Sequence, residues 1–185
     1  TTHSYGTGGR QGNSAAYISP SLGGLKIAAA VVARDTAGVD AGGNTGDDVD
    51  ATHLAANYSA AGFGLGLSTL QYEGTVDESI NSIGVNYSAD NLYVGLSYED
   101  DEINRDDEVL VLAGSFAMGN TKVLGSFTDF GKDGSDDLGS RYVAEVQQKL
   151  GNQAFVFANY IEADSDAESE GEATDTFAIG YNVSF

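Results

Sequence analysis

Residues 79–118 read "SINSIGVNYSADNLYVGLSYEDDEINRDDEVLVLAGSFAM". Near the middle, Leu92, Val94, Leu96 and Tyr98 alternate with Tyr93, Gly95, Ser97 and Glu99. A period of two predicts a β-strand with one apolar face and one polar or small-residue face. Strands are expected on both sides, at 79–89 and 108–118, where Leu110, Leu112, Phe116 and Met118 oppose Val109, Val111, Ser115 and Ala117. The connection "SADN" is short and nearly uncharged, whereas "EDDEINRDDE" is long and acidic. That difference between successive connections repeats along the chain and decides the architecture.

Eleven strands are expected, at 12–19, 24–34, 51–60, 62–72, 79–89, 91–99, 108–118, 120–130, 139–150, 153–162 and 175–185. Phe63, Leu65 and Leu67 alternate with Gly64, Gly66 and Ser68, and Leu25, Ile27, Ala29, Val31 and Ala33 with Lys26, Ala28, Ala30, Val32 and Arg34. Phe177, Ile179, Tyr181, Val183 and Phe185 form the same pattern at the C-terminal end, where a soluble chain is usually polar. The short connections are "SPSLGG", "SAAGF", "SADN", "MGNT" and "LGNQ". Residues 35–50, 73–78, 99–108, 129–137 and 162–175 hold 26 of the 28 acids, leaving only Asp90 and Glu145. In an up-and-down meander alternate connections share an end, so all the acidic loops lie at one rim and all the tight turns at the other. This is the asymmetry of a transmembrane β-barrel, with long extracellular loops and short periplasmic turns. Strands near ten residues suit a tilted membrane crossing. Aromatic residues at strand ends (Tyr17, Tyr58, Phe63, Tyr87, Tyr98, Phe127, Tyr142, Tyr160, Tyr181 and Phe185) suit interfacial girdles.

Composition narrows the function. A formal charge of −20 argues against a nucleic-acid partner, which needs basic surface. Ten Tyr and eight Phe argue against disorder. With no Cys there are neither disulfides nor thiolate metal sites, and Gly-rich, Pro-poor composition favours strands and tight turns. No apolar run approaches the roughly 18 residues of a membrane-spanning helix. The opening "TTHSYGTGGR" lacks the apolar segment of a signal peptide and reads as part of a mature product. Single-chain bacterial barrels have even strand numbers, and eleven strands would leave two edges in lipid. The expectation is therefore a single β-barrel domain over 1–185 that forms the C-terminal portion of a longer barrel. The alternative is a soluble, salt-adapted acidic β-barrel. Against it stand opposite strand faces too rich in Gly, Ser, Ala and Asn to supply an obvious polar exterior.

The segment "RQGNSAAYISPSLGGLKIAAAVV", residues 10–32, resembles the general Gram-negative outer-membrane porins in the strand after their constriction loop, through Arg10, Asn13, Ser14, Tyr17, Ser19, Pro20, Gly23 and Gly24. It departs at Ala16, where members often carry a further Arg, so a complete arginine ladder is not implied. The resemblance implies strands six to sixteen of a sixteen-stranded barrel, a homotrimer, and residues 1–9 as the end of the inward loop. The first five strands would then be missing, or supplied by a separate chain. It also implies a basic wall facing acids on that loop, for which Arg10, Lys26, Arg141 and Lys149 are the candidates; Arg34 and Lys122 are weaker ones. The terminal aromatic pattern Tyr181, Val183 and Phe185 would be the signal read by the outer-membrane assembly machinery.

The expected function is a water-filled channel for passive diffusion of small hydrophilic solutes and ions, with a preference for cations set by the acidic rim. The loop acids Asp47, Asp48, Asp100, Asp101, Asp106, Asp107, Asp133, Asp136 and Asp137 carry that field. No cofactor is expected. Ca²⁺ or Mg²⁺ bridging between loops or to lipopolysaccharide is the sharper reading of the same acids. "DFGKDGSDD" offers Asp129 and Asp133 at usable spacing, but Ser140 stands where a bidentate Glu belongs. An enzyme is not expected: His3 and His53 are the only histidines and neither has catalytic or metal spacing around it. The remaining class is a barrel with a structural or adhesive role played through its loops.

Overall fold

The computed structural model of the chain describes residues 14–32, 51–72, 79–102, 107–132, 138–170 and 174–184. Eleven strands form one sheet in strict sequence order: β1 (Ser14–Ile18), β2 (Leu25–Val32), β3 (Ala51–Ala60), β4 (Phe63–Tyr72), β5 (Ser79–Ala89), β6 (Leu92–Asp101), β7 (Asp107–Met118), β8 (Thr121–Lys132), β9 (Gly139–Lys149), β10 (Ala154–Ala163) and β11 (Thr176–Val183). Every neighbour is antiparallel and sequential. The expected meander is therefore present with all of its strands.

Directly paired residues point to the same side of a sheet, so the register assigns every strand residue to a face. One row runs Tyr58, Leu65, Val85, Leu96, Leu112, Phe127 and Tyr142 from β3 to β9. That face also carries Ile27, Leu54, Leu67, Ile83, Val94, Val146, Val156 and Ile179, all of them well exposed. Among the described residues only Ala51, Phe130 and Ala167 are buried hydrophobics. A water-soluble domain of this size would hide its Leu, Ile and Val side chains, each stabilising by about 1.5–3 kcal/mol on burial. Here they form a continuous outer surface, whose natural solvent is hydrocarbon.

The aromatic residues complete that surface. Tyr17, Tyr58, Phe63, Tyr87, Tyr98, Phe127, Tyr142, Tyr160 and Tyr181 all fall on the apolar face. Phe63 and Tyr87 pair at the turn end with ring centroids 4.6 Å apart, and Phe127 and Tyr142 pair towards the loop end at 4.9 Å. Between the rims, β7 presents apolar residues from Leu110 to Met118. Eight steps of about 3.4 Å make roughly 27 Å along the strand, or about 21 Å across a membrane at a tilt near 40°.

The turns are as tight as their composition suggests. Between β3 and β4, Ala61 and Gly62 both take positive φ, 49° and 85°. A side chain on Gly62 would drive its Cβ to 2.5 Å from the Ser88 carbonyl oxygen, so this turn requires glycine for space as well as for φ. Asp90 in the β5–β6 turn is also left-handed, at 46°.

The loop rim departs from the expectation in two ways. β6 runs through Asp101 and β7 begins at Asp107, with Asp100 opposite Glu108 and Asp101 opposite Asp107. Asp100, Asp101 and Asp107 are thus strand residues, and Asp129 lies within β8 opposite Leu110. A ladder can continue past the apolar band because its hydrogen bonds persist in water, where an outward carboxylate costs little. Secondly, the acidic connection after β10 contains a helical turn, α1 (Ser165–Glu170), packed on the start of β9.

Candidate channel wall

The other face is richer in polar and small residues, though it also carries large apolar ones such as Leu124, Phe130, Phe155 and Phe157. Across β4 to β9 it presents Gly66, Gly84, Ser97, Val111, Thr128 and Arg141 in one row, and Asn86, Gly95, Ala113, Ser126 and Val143 in the next. The hydroxyls of Ser68 and Ser82 bond across two strands at 2.7 Å. Small residues recess the wall: a concavity of about 490 Å³ opens over β6–β9, lined by Tyr93, Ser115, Lys122, Ser126 and Glu145 among others. Glu145 accepts a 2.6 Å hydrogen bond from the Gln147 amide.

The cations follow one rule. Lys26 pairs with Asn57, Lys122 with Ala117 and Gln147, Arg141 with Thr128, and Lys149 with Phe155. All four stand on the polar face. They do not converge. Arg141 and Lys149 are eight residues apart on β9, about 27 Å along the strand. Lys26 lies seven strands from Lys149, roughly 33 Å around the wall at about 4.8 Å per strand. The register leaves Lys26, Lys122 and Lys149 within two residues of the turn rim and Arg141 three residues from the loop rim. Arg10 lies outside the described residues.

Arg141 is the most constrained of these groups. Its guanidinium sits 5.5 Å from the centre of the Phe130 ring and donates a long 3.4 Å hydrogen bond from Nη2 to Thr128 Oγ1. Thr128 is fully buried beneath it, and Arg141 Nε is buried with no hydrogen-bond partner among the described residues. Lys122, one of the weaker candidates, stands on the same face as the other three. Its facing depends on the two-residue turn Gly119–Asn120, and a slip of one residue would reverse it.

Acids gather at the opposite rim. Glu99 and Asp101 are on the polar face of β6, and Asp100, Glu108, Asp129 and Glu162 are on the apolar face beyond the aromatic band. Asp164 fastens the last loop. Its carboxylate accepts hydrogen bonds from the Ala167 amide at 2.9 Å, the Ser140 amide at 2.7 Å and the Ser140 hydroxyl at 2.8 Å. The Ala167 amide above all, then the Ser140 hydroxyl, hold its pKa below the ordinary carboxylate value. It caps α1 and ties it to β9 in one step. An Asp immediately before "SDAESE", with Asp166 and Glu168 in the first turn, was the available signal for this helix.

Of the other expected loop acids, Asp47, Asp48, Asp106, Asp133, Asp136 and Asp137 lie outside the described residues, as does Phe185. Tyr181 and Val183 lie on the apolar face of β11. Among the described residues no group of three or more His, Asp or Glu side chains could hold a metal ion. No helix among them is long and apolar enough to cross a membrane, which leaves strand crossings untouched.

A family model described as Gram-negative porin matches residues 1–184. Among solved structures, a mutant of Rhodopseudomonas blastica porin carrying five substitutions superposes with a TM-score of 0.70 at 21% identity, covering 93% of this chain and 55% of that one. A triple mutant of the same porin gives 0.70 at 22% identity, with the same coverage. A further porin structure gives 0.68 at 16% identity, covering 93% of this chain and 60% of that one. At these identities the likeness establishes a shared fold, and the chain spans little more than half the length of those porins. Among curated proteins none matches significantly.

Proposed function

The chain belongs to the Gram-negative porin family, a family of the bacterial outer membrane, and from that premise we propose that its eleven strands form the larger part of a water-filled channel. The channel passes small hydrophilic solutes and ions by passive diffusion and prefers cations. The observation that carries this reading is the sorting of side chains by face. The described strand cations all stand opposite the apolar surface, on the face that a closed barrel turns towards its lumen. Cation preference is supported by the acids crowded at the loop rim, whose field concentrates cations and repels anions at the mouth.

The proposal extends to the assembly. The strands that close the sheet beyond β1 and β11 complete a sixteen-stranded barrel, three barrels associate, and outward carboxylates such as Glu108 and Asp129 meet the lipopolysaccharide headgroups. The test is reconstitution of the full-length protein. Liposomes should swell in small sugars with a sharp size limit, and reversal potentials under a salt gradient should carry the sign of cation preference. Vesicles that stay impermeable would overturn the channel, and anion preference would overturn the selectivity. The mass of the unboiled, detergent-resistant species tests the trimer.

A further inference from the structure

Charge is sorted along the channel axis as well as across the sheet. The five acidic connections hold 26 acids and only two bases, Arg105 and Lys132; elsewhere six bases meet only Asp90 and Glu145. At the turn rim the polar face carries Lys26, Lys122 and Lys149. Lys122 and Lys149 are diagonal neighbours on β8 and β9, about 7–8 Å apart and somewhat closer at their Cβ atoms for that register. Among the described residues the carboxylate near Lys122 and Lys149 on this face is Glu145, which is already held by Gln147. Towards the loop rim the same face carries Glu99 and Asp101 with Arg141 as their counter-charge, and the connections that leave this rim hold 26 of the 28 acids.

Resting on the channel reading above, we propose that Lys26, Lys122 and Lys149 form a positive arc at the turn-side mouth that opposes the negative loop-side mouth and makes the channel rectify. The reasoning is electrostatic. Cations accumulate in the acidic half and anions in the basic half. A voltage that is positive on the loop side drives both towards the middle of the pore, where they add conductance. The reverse voltage draws both away and depletes the middle. A potential of about one kT at each mouth changes local ion concentrations roughly 2.7-fold. Current with the loop side positive therefore exceeds the opposite current by about twofold at low salt, where screening extends over about 10 Å at 0.1 M. In 1 M salt, with screening shortened to about 3 Å, the asymmetry collapses.

The experiment is current–voltage recording on full-length protein inserted from one side of a planar bilayer, in symmetric potassium chloride at both salt concentrations. The native channel should rectify with the stated sign at the lower salt, and the combined Lys26→Gln, Lys122→Gln and Lys149→Gln variant should give a nearly symmetric curve. Lys149→Glu alone, at an exposed strand end, should weaken rectification by a smaller step and serves if the triple variant assembles poorly. A symmetric native curve, the opposite sign, or unchanged rectification in the lysine variants would overturn the proposal while leaving the channel intact. Absence of any current would instead strike at the channel reading itself.

Discussion

Placing arginine at two adjacent positions of β7 separates a lipid-facing surface from a lumenal one. Leu112 lies mid-strand, opposite Leu96 and Phe127, on the apolar face; its neighbour Ala113 lies opposite Gly95 and Ser126 on the polar face. Leu112 is about half exposed and stands five residues from one end of β7 and six from the other. Towards the loops, however, it lies only two residues inside Leu110, the end of the apolar band, which is roughly 7 Å of strand or about 5 Å of depth after tilt. An arginine there reaches back towards the headgroups but leaves its stem and part of its desolvation cost in lipid. Leu112→Arg is expected to cost about 2 kcal/mol, between the midplane and interface penalties for a cation on the lipid face, or roughly 30-fold in the folding equilibrium. Ala113→Arg enters the recessed wall and should cost no more than about 1 kcal/mol, the usual range for a substitution into water. It should also narrow the pore and lower its conductance. The assay is guanidinium titration of the full-length protein in phospholipid vesicles, scored by the gel shift between folded and unfolded forms. If Ala113→Arg destabilises as much as Leu112→Arg, the assignment of faces is wrong.

Three further outcomes follow from particular contacts. Ala61 holds a left-handed φ of 49°, so Ala61→Asn should stabilise the fold by about 1 kcal/mol, seen as a higher denaturation midpoint with an unchanged slope. A Cβ at Gly180 would sit 2.5 Å from the Phe157 ring. Gly180→Ala should therefore cost about 1–3 kcal/mol and speed amide exchange along β11, and adding Phe157→Ala should recover part of the loss. The depressed pKa of Asp164 makes the anchoring of α1 complete above the ordinary carboxylate value of 3.8 and lost as pH falls through the lower folded value. Protection of the Ala167 amide, its exchange rate relative to that of an unfolded chain at the same pH, should hold at pH near 7 and be lost only under stronger acid, and in Asp164→Asn that acid-dependent step should vanish.

The sheet was legible because two independent patterns agree. Alternation in β4, β6 and β11 names the faces, and the placement of acids orders the connections. Both record the same physical demand, that side chains sort between hydrocarbon and water. Where that demand relaxes, the reading loses its grip. Asp100 and Asp101 look like loop because charge usually ends a membrane strand, yet above the bilayer the ladder with Glu108 and Asp107 forms whatever the side chains are. Lys122 could not be assigned a face with assurance because its parity rests on one turn of fixed length. The seat of Arg141 between Thr128 and Phe130 depends on partners from two strands, which no pattern within either strand announces. α1 was overlooked because six residues carry too little periodicity, and only the cap at Asp164 marks it.

The uneven distribution of carboxylates between the two rims also bears on how the molecule comes to rest in its membrane. For the loop rim to emerge on the far side, connections bearing nearly all of the acids must traverse hydrocarbon, each ionised group at a cost of several kcal/mol. The turn rim, with Asp90 as its lone acid, never makes that journey. Unassisted entry should therefore be slow and quickened by mild acid, and a catalyst of insertion has most to do at the loops. The same barrier stands in the way of return. Once seated, the barrel has no affordable path by which to turn over, so its orientation persists as a record of the side from which it entered.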